Sequence, residues 1–361
     1  MKQSLYYLPL EPYRARYTEL LSCPKGWVET AFAPHFDLER IEPKVDENSS
    51  AQILTGSVLD SVNRPIWAMQ QIAQLLNRAR SGQVYLDDFF HPGIEALPYS
   101  GRDYRAYAFC WAQSFDRYDF TRPMASWMRP YEAMAMSILR KVFVASPVLA
   151  DLITTVFPDS EQQVQYVGLP FSSKDVAGRF DPEFRPGPYD VVFSSRFDTE
   201  KRPNFFLDVV ELCPDLTFAI CTGHDELKGN DYSAVARANH LIAKGRITLH
   251  PGLSKGEYYS VLKASKVQFN CSLQDWVSFT LLEALTHRCI PVYPAFRDFP
   301  VVFSKAPQFL YSPESQSDAV ALLHERVAEG VSEEERQQLN QIVAFHDGTL
   351  DRIAGFIDGD R

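Results

Sequence analysis

Apolar residues in this chain come in short runs, separated by longer stretches in which they recur every three or four positions. In the first half the runs are Leu5–Leu8, Gln52–Val58, Gln83–Leu86, Tyr107–Trp111, Lys141–Ser146 and Val164–Val167. In the second half they are Asp190–Ser194, Thr217–Cys221, Ile247–His250, Val267–Asn270, Ile290–Tyr293 and Gln308–Tyr311. Runs this short and apolar predict strands buried on both faces, and the periodic stretches between them predict helices. The clearest helix is NRPIWAMQQIAQLLNRARSG. Pro65 lies near its start, Gly82 closes it, and Ile66, Met69, Ile72, Ala73 and Leu76 form one stripe. Ser146 is placed to cap a helix opening at Pro147, and Ser254 and Glu257 have capping-box spacing. Strand then helix, repeated, predicts an α/β chain of parallel, doubly wound sheets covered on both faces.

The chain has 361 residues, 45% of them hydrophobic, which suits two domains better than one. Between the halves lies FSSKDVAGRFDPEFRPGPYD, rich in Pro, Gly and charge, so the expected division is 1–170, 171–340 and a helical tail over 341–361. A net charge of −10 argues against wholesale capture of nucleic acid or anionic membrane but leaves room for a local basic groove. The six cysteines form no C-x-x-C pair and sit mostly in apolar stretches, which fits reduced thiols in a cytoplasmic protein. MKQSLYYLPLEPY is broken by Pro9 and Glu11 and does not read as a signal peptide. No run approaches the ~18 apolar residues of a membrane span, so no membrane insertion is expected.

Ligands of open parallel sheets sit beyond the carboxyl ends of the strands. In the second half, Arg196 and Lys201 follow one strand, and Asp275 follows another, eight positions before Glu283. Two cations facing a helix start at Ser278 to Leu281 make a diphosphate cradle, and nearby carboxylates suit sugar and ribose hydroxyls. The alternative for Glu283 is a T-x-x-E capping box with Thr280. His224, His250 and His287 have no metal-ligand spacing, and no Asp-x-Asp metal site is present. In the first half, QVYLDDFFHPGIEALPY puts Asp87, Asp88 and His91 directly after a strand, where a general base belongs; the bland alternative is a capped turn. Gln113, Ser114 and Asp116 end the next strand. From Tyr99 to Tyr131 there are five Arg, three Asp, no Lys or Glu and ten aromatics, a composition suited to phosphate contact and stacking.

SSRFDTEKRPNFFL, ITLHPGLSKGEYYSVLKASKVQFNCS and QDWVSFTLLEALTHRCIPVYP resemble the C-terminal half of GT-B glycosyltransferases, above all the large retaining group with a Glu-x7-Glu motif. That resemblance implies two Rossmann-like domains facing a central cleft. It also implies a UDP-type nucleotide sugar as donor, with no tightly bound cofactor and no required metal. Arg196 and Lys201 become the diphosphate ligands and Glu283 the ribose ligand. Asp275 stands where the family usually has its first Glu and would hold hydroxyls of the transferred sugar. Val277-Ser278-Phe279 replaces the usual Phe-Gly, so Ser278, Phe279 and Thr280 would line the phosphate approach. YLPLEPYRARYTELL, DDFFHPGIEALPY and AQSFDRYDFT resemble phage-encoded glycosyltransferases that decorate hydroxymethylated pyrimidines in DNA. This implies a 5-hydroxymethyl acceptor on double-stranded DNA, in the host cytoplasm, with Arg14, Arg16, Arg102, Arg105, Gln113, Asp116 and Arg117 on the acceptor side. The His that retaining relatives often carry near Gln113 is absent. Two other functions compete: transfer to an envelope glycan or lipid-linked acceptor, and non-catalytic binding of a sugar nucleotide. The sugar, the anomeric outcome and the oligomeric state are left open.

Overall fold

The computed structural model describes residues 2–10, 19–43, 63–119 and 121–360. The expected run at Gln52–Val58 and the candidate acceptor residues Arg14 and Arg16 lie outside them. Two compact units result, one from residues 2–10 and the described part of Leu20–Pro170 together with the stretch from Gly348 onward, the other mainly Phe171–Asp347.

The first unit contains β1 (Gln3–Leu8), α1 (Glu19–Phe32), β2 (Phe36–Arg40), α2 (Asn63–Arg78), β3 (Ser81–Leu86), α3 (Ala96–Tyr99), β4 (Asp103–Phe109), α4 (Ala125–Ile138), β5 (Leu139–Val144), α5 (Pro147–Val156) and β6 (Val164–Tyr166). Its sheet is parallel throughout, in the order 2-1-3-4-5-6. Central strands are buried on both faces, as their unbroken apolar sequence requires: Tyr85, Tyr107, Phe109 and Phe143 are all enclosed. Strand β2 was not expected, because FDLER at the sheet edge buries Phe36 and leaves its other side chains at least partly open. A strand that needs only one apolar anchor leaves no apolar run.

Helix α2 is where expected, but its inner face differs from the predicted stripe. Ile66 and Met69 are each 48% exposed, while Trp67, Ala68, Gln71, Ile72 and Leu75 point inward. The reason is polar. Trp67 Nε1 donates to Pro9 O at 3.2 Å, and Gln71 Nε2 donates to Pro9 O and Ile41 O, both at 2.9 Å. These side chains satisfy carbonyls where β1 and β2 end, and the helix turns to let them do it.

The second unit contains α6 (Ser173–Ala177), β7 (Tyr189–Phe193), α7 (Pro203–Leu212), β8 (Phe218–Cys221), α8 (Tyr232–Ala243), β9 (Ile247–His250), α9 (Lys255–Ala264), β10 (Ser265–Phe269), α10 (Phe279–Thr286), β11 (Ile290–Pro294), α11 (Phe299–Val302), β12 (Leu310–Tyr311), α12 (Gln316–Glu329) and α13 (Glu333–Asp347). Its parallel sheet runs 12-11-10-7-8-9, so the winding direction reverses between β7 and β10. The caps read from sequence are made. Ser146 accepts from Leu149 N at 3.0 Å, and Ser254 and Glu257 close a reciprocal capping box at the start of α9.

The stretch 341–360 is helical and belongs to two helices with different allegiances. After α13, the chain forms α14 (Thr349–Gly359) on the first unit, burying Ile353, Ala354 and Ile357. Arg352 Nη2 donates to Val167 O at 2.7 Å, Gln83 Nε2 donates to Ile357 O at 2.9 Å, and Asp360 pairs with Arg140 at 3.0 Å.

Candidate active site

In the second unit, the loops after β7 and β10 flank the point where the sheet order reverses, which is where such sheets leave a crevice for ligand. They are tied together: Leu273 N donates to Glu200 O at 3.3 Å. The sequence placed Arg196, Lys201 and Asp275 on these loops, and the fold brings them together. Lys201 Nζ lies 2.5 Å from Asp275 Oδ1, with both side chains largely enclosed. Asn270 Nδ2 reaches the other Asp275 oxygen at 3.4 Å. Burial pushes the Asp275 carboxyl up, but the Lys201 charge, its hydrogen bond and Asn270 outweigh it and hold the group below the usual carboxylate range.

Arg196 sits between two acids of its own loop, Asp198 at 3.0 Å and Glu200 at 2.9 Å. Its charge also acts favourably on Asp275. After Lys201 the backbone passes through Arg202 in the left-handed region, with φ 53°, before α7 begins at Pro203. The Arg202 guanidinium is anchored on Pro313 O at 2.6 Å. Non-glycine residues in that conformation are costly and persist only where surroundings enforce them, so this turn is held in place.

Ser278 caps α10, its hydroxyl accepting from Leu281 N at 3.2 Å, with Thr280 and Tyr293 hydroxyls adjacent at 3.1 and 3.4 Å. The Thr280–Glu283 capping box considered above does not form, because the helix starts two residues earlier. Glu283 is instead fully buried within α10, paired with Lys255 Nζ at 2.8 Å. Phe279 is the first helical residue and half-buried. Lys255, Asn270 and the Trp276–Arg297 stack, 3.9 Å from guanidinium to ring, were not singled out by sequence reasoning. Lys255 and Trp276 adjoin recognised signals and Asn270 ends a recognised run, but each has its partner elsewhere in the chain. Of the histidines, His250 Nε2 meets Tyr189 OH at 2.8 Å, and His287 stacks on Tyr259 at 4.8 Å.

In the first unit, Asp87, Asp88 and His91 follow β3 and are 2, 5 and 3% exposed. Asp87 Oδ2 accepts from Tyr7 OH at 2.9 Å and Leu10 N at 3.5 Å, which ties the ends of β1 and β3. Asp88 accepts from Phe90 N at 3.2 Å, closing a turn, and the backbone N of His91 donates to Tyr131 OH at 2.8 Å. Gly93 adopts φ +96° where a Cβ would stand 3.3 Å from the Met69 Cα, so this turn presses directly on α2. Gln113, Ser114 and Asp116 are enclosed nearby, with Gln113 Nε2 buried and lacking a hydrogen-bond partner.

Glu132, on α4, joins this cluster and was missed. Its two oxygens accept from Ser114 N at 2.6 Å and Ser114 Oγ at 2.8 Å. Burial lifts its pKa, and the Ser114 bonds and Arg129 offset only part of that. Asp88, Glu132 and Asp119 all act on the buried Cys110 thiol, whose pKa burial already raises.

Two of the expected acceptor residues are not brought to this cluster. Arg102 lies just before β4 and Arg105 within it, neither beyond its carboxyl end. Arg102 caps the end of α2 through Leu76 O and Ala79 O, and Arg105 bonds to Asp360 O. Their charges answer helix carbonyls. Arg117 is exposed, lying over the Tyr118 ring at 4.4 Å. Among the described residues, no group of His, Cys, Asp and Glu is placed to hold a metal ion, and no helix is long and apolar enough to cross a membrane.

Solved structures match this chain almost end to end. A sucrose-phosphate synthase from Thermosynechococcus elongatus aligns over 99% of this chain and 97% of its own, with TM-score 0.66 and 12% identity. A glycosyltransferase from Rickettsia africae ESF-5 aligns over 99% and 98%, with TM-score 0.67 and 10% identity. The chain has the GT-B fold. A pneumococcal O-GlcNAc transferase, solved with UDP and GlcNAc, shares this GT-B likeness over 81% of this chain and 59% of its own, with TM-score 0.57 and 16% identity. No protein-family model matches the sequence, and no curated protein matches it. The likeness at these identities is one of GT-B fold.

Proposed function

We propose that this chain is a nucleotide-sugar-dependent glycosyltransferase that holds a UDP-type donor on its second unit. The observation that carries the reading is the convergence of Arg196, Lys201, Asp275 and the Ser278-capped start of α10 at the reversal point of a Rossmann-type sheet. Lys201 and Arg196 would stabilise the leaving diphosphate, and the positive end of the α10 dipole adds to that field. Asp275, kept ionised by Lys201, would accept hydroxyls of the transferred sugar, and Glu283 those of the ribose. The likeness to a structure solved with UDP supports the choice of donor.

We propose further that the acceptor is the 5-hydroxymethyl group of a modified pyrimidine in DNA. What favours it is how charge is sorted after β4. Asp116, Asp119 and Glu132 are 3, 5 and 0% exposed, whereas Arg117, Arg122 and Arg129 face outward. Trp127, 50% exposed, lies at the same surface and meets Phe90 edge-on at 5.9 Å. An acidic protein thereby presents a cationic, aromatic face, which suits a polyanion carrying stackable bases. The target base must leave the stack to be reached. Asp88 or His91 would take the hydroxyl proton in an inverting reaction; in a retaining one the leaving phosphate takes it. The protein would act in the cytoplasm of an infected host.

The experiment is nucleoside mass spectrometry on DNAs containing hydroxymethylcytosine, hydroxymethyluracil or neither, each incubated with the protein and a panel of UDP-sugars. The expected result is a sugar mass on a hydroxymethylated base alone, lost in Lys201→Ala, with UDP affinity falling about 10- to 100-fold as one charged contact goes. UDP binding without DNA product would transfer the search to glycan or lipid-linked acceptors. UDP binding with no transfer to any acceptor would favour a sugar-nucleotide-binding protein.

A further inference from the structure

Glu283 has no exposed surface, yet among the described residues only one of its carboxylate oxygens finds a hydrogen-bond partner. Oε1 receives two donors, the Lys255 ammonium at 2.8 Å and the Tyr259 hydroxyl at 3.2 Å. Oε2 is buried with no hydrogen-bond partner among the described residues. Both donors stand one turn apart on α9, whose start is fixed by the Ser254–Glu257 capping box. Lys255 is itself 9% exposed, and its ammonium lies 5.0 and 5.6 Å from the ring centres of Tyr258 and Tyr259. The Tyr259 ring is stacked in turn on His287. This is a rigid assembly around one oxygen.

A carboxylate oxygen has room for two donors, so Oε1 is full and Oε2 is empty. Enclosing a carboxylate without a compensating charge is expensive, and leaving one of its oxygens bare is expensive again. Lys255 answers the first cost, and nothing among the described residues answers the second. A pair serving stability alone has no reason to leave Oε2 bare. We infer that Lys255 and Tyr259 are positioning residues that fix the Glu283 carboxylate, saturate Oε1 and reserve Oε2 as the acceptor for the ribose diol of the donor. The inference rests on the donor reading above and adds which oxygen binds and what fixes it.

The test compares UDP with 2′-deoxy-UDP by isothermal titration calorimetry on the full chain and on Lys255→Met, Lys255→Arg and Tyr259→Phe, with thermal melts alongside. The unaltered protein should prefer UDP about tenfold, the worth of a hydrogen bond to a charged group. Lys255→Met should reduce that preference to about twofold or less, and Lys255→Arg should restore most of it. Tyr259→Phe, which removes one neutral donor and keeps the charge pair, should cost about threefold, and it reads the same ratio if Lys255→Met does not fold. An unchanged preference in Lys255→Met or Tyr259→Phe would mean a merely structural pair and overturn the inference while leaving the donor reading intact. An unaltered protein that binds neither nucleotide would overturn both.

Discussion

Gly229 carries no chemistry, yet replacing it by Ala should damage the donor site. A Cβ there would stand 1.9 Å from Phe197 O, 2.3 Å from its carbonyl carbon and 2.7 Å from its Cβ. Ordinary contact begins at 3.4 Å, so the two segments must part by about 1.5 Å. The obstacle is backbone, with no flexible side chain to yield. The bonds that stitch these segments include three from backbone N–H groups: Asn230 N to Asp198 Oδ1 at 2.8 Å, Thr199 N to Asn230 Oδ1 at 2.8 Å and Asp231 N to Phe197 O at 3.2 Å. At about 1 kcal/mol each, losing them costs about 3 kcal/mol. In a unit of this size that is a fall of roughly 6 to 12 °C in melting temperature. The same loop carries Arg196 and Lys201, and displacing it by more than 1 Å should weaken UDP binding by about 10- to 100-fold, the worth of one charged contact. Differential scanning fluorimetry and calorimetric UDP titration measure the two effects. A melting temperature within 1 °C of the parent and a UDP affinity within about twofold would refute the claim that these segments hold each other and, through each other, the cations.

Other perturbations separate stability from function. His287 is buried with its pKa lowered to about 4, chiefly by desolvation and further by Lys263. The unfolded chain takes up that proton near pH 6.5 and the folded chain only near pH 4, so stability should fall as pH drops across this window, by on the order of 3 kcal/mol in total. His287→Phe should remove that part of the slope in urea melts between pH 7 and pH 4.5. Glu132 has its pKa raised by burial, so the stability it contributes is present below its unfolded pKa and lost as pH rises through the folded value. Glu132→Gln can still accept from Ser114 N and donate to Ser114 Oγ, so its stability relative to the parent should improve from pH 4.5 to pH 7. An unchanged difference in urea midpoint would show that Glu132 carries no such penalty. Gly355→Ala adds a methyl that meets nothing within 4 Å on the exposed side of α14, and chemical melts should show a gain of about 0.5–1 kcal/mol.

Local sequence determined the alternation of elements and the start of α5 and α9, because apolar runs and cap spacing act within a few residues. It also determined that Arg196, Lys201, Asp275 and Ser278 stand at strand ends and a helix start, since those positions follow from where each strand stops. Tertiary structure decided which groups meet. The Lys201–Asp275 pair joins residues 74 positions apart, and Lys255 reaches Glu283 across 28. No local pattern encodes such a pairing, because the energy of a buried charge depends on what surrounds it in space. The face of α2 was decided by the carbonyls of Pro9 and Ile41, which outweighed the apolar stripe of Ile66 and Met69. Arg102 and Arg105, placed on the acceptor side by resemblance, bond in the structure to the carbonyls of Leu76, Ala79 and Asp360, partners that only the tertiary structure brings to them. Residues 341–361 show one periodicity, and only packing divided them, sending α14 to the first sheet because that is where Ile353 and Ile357 find apolar surface to cover.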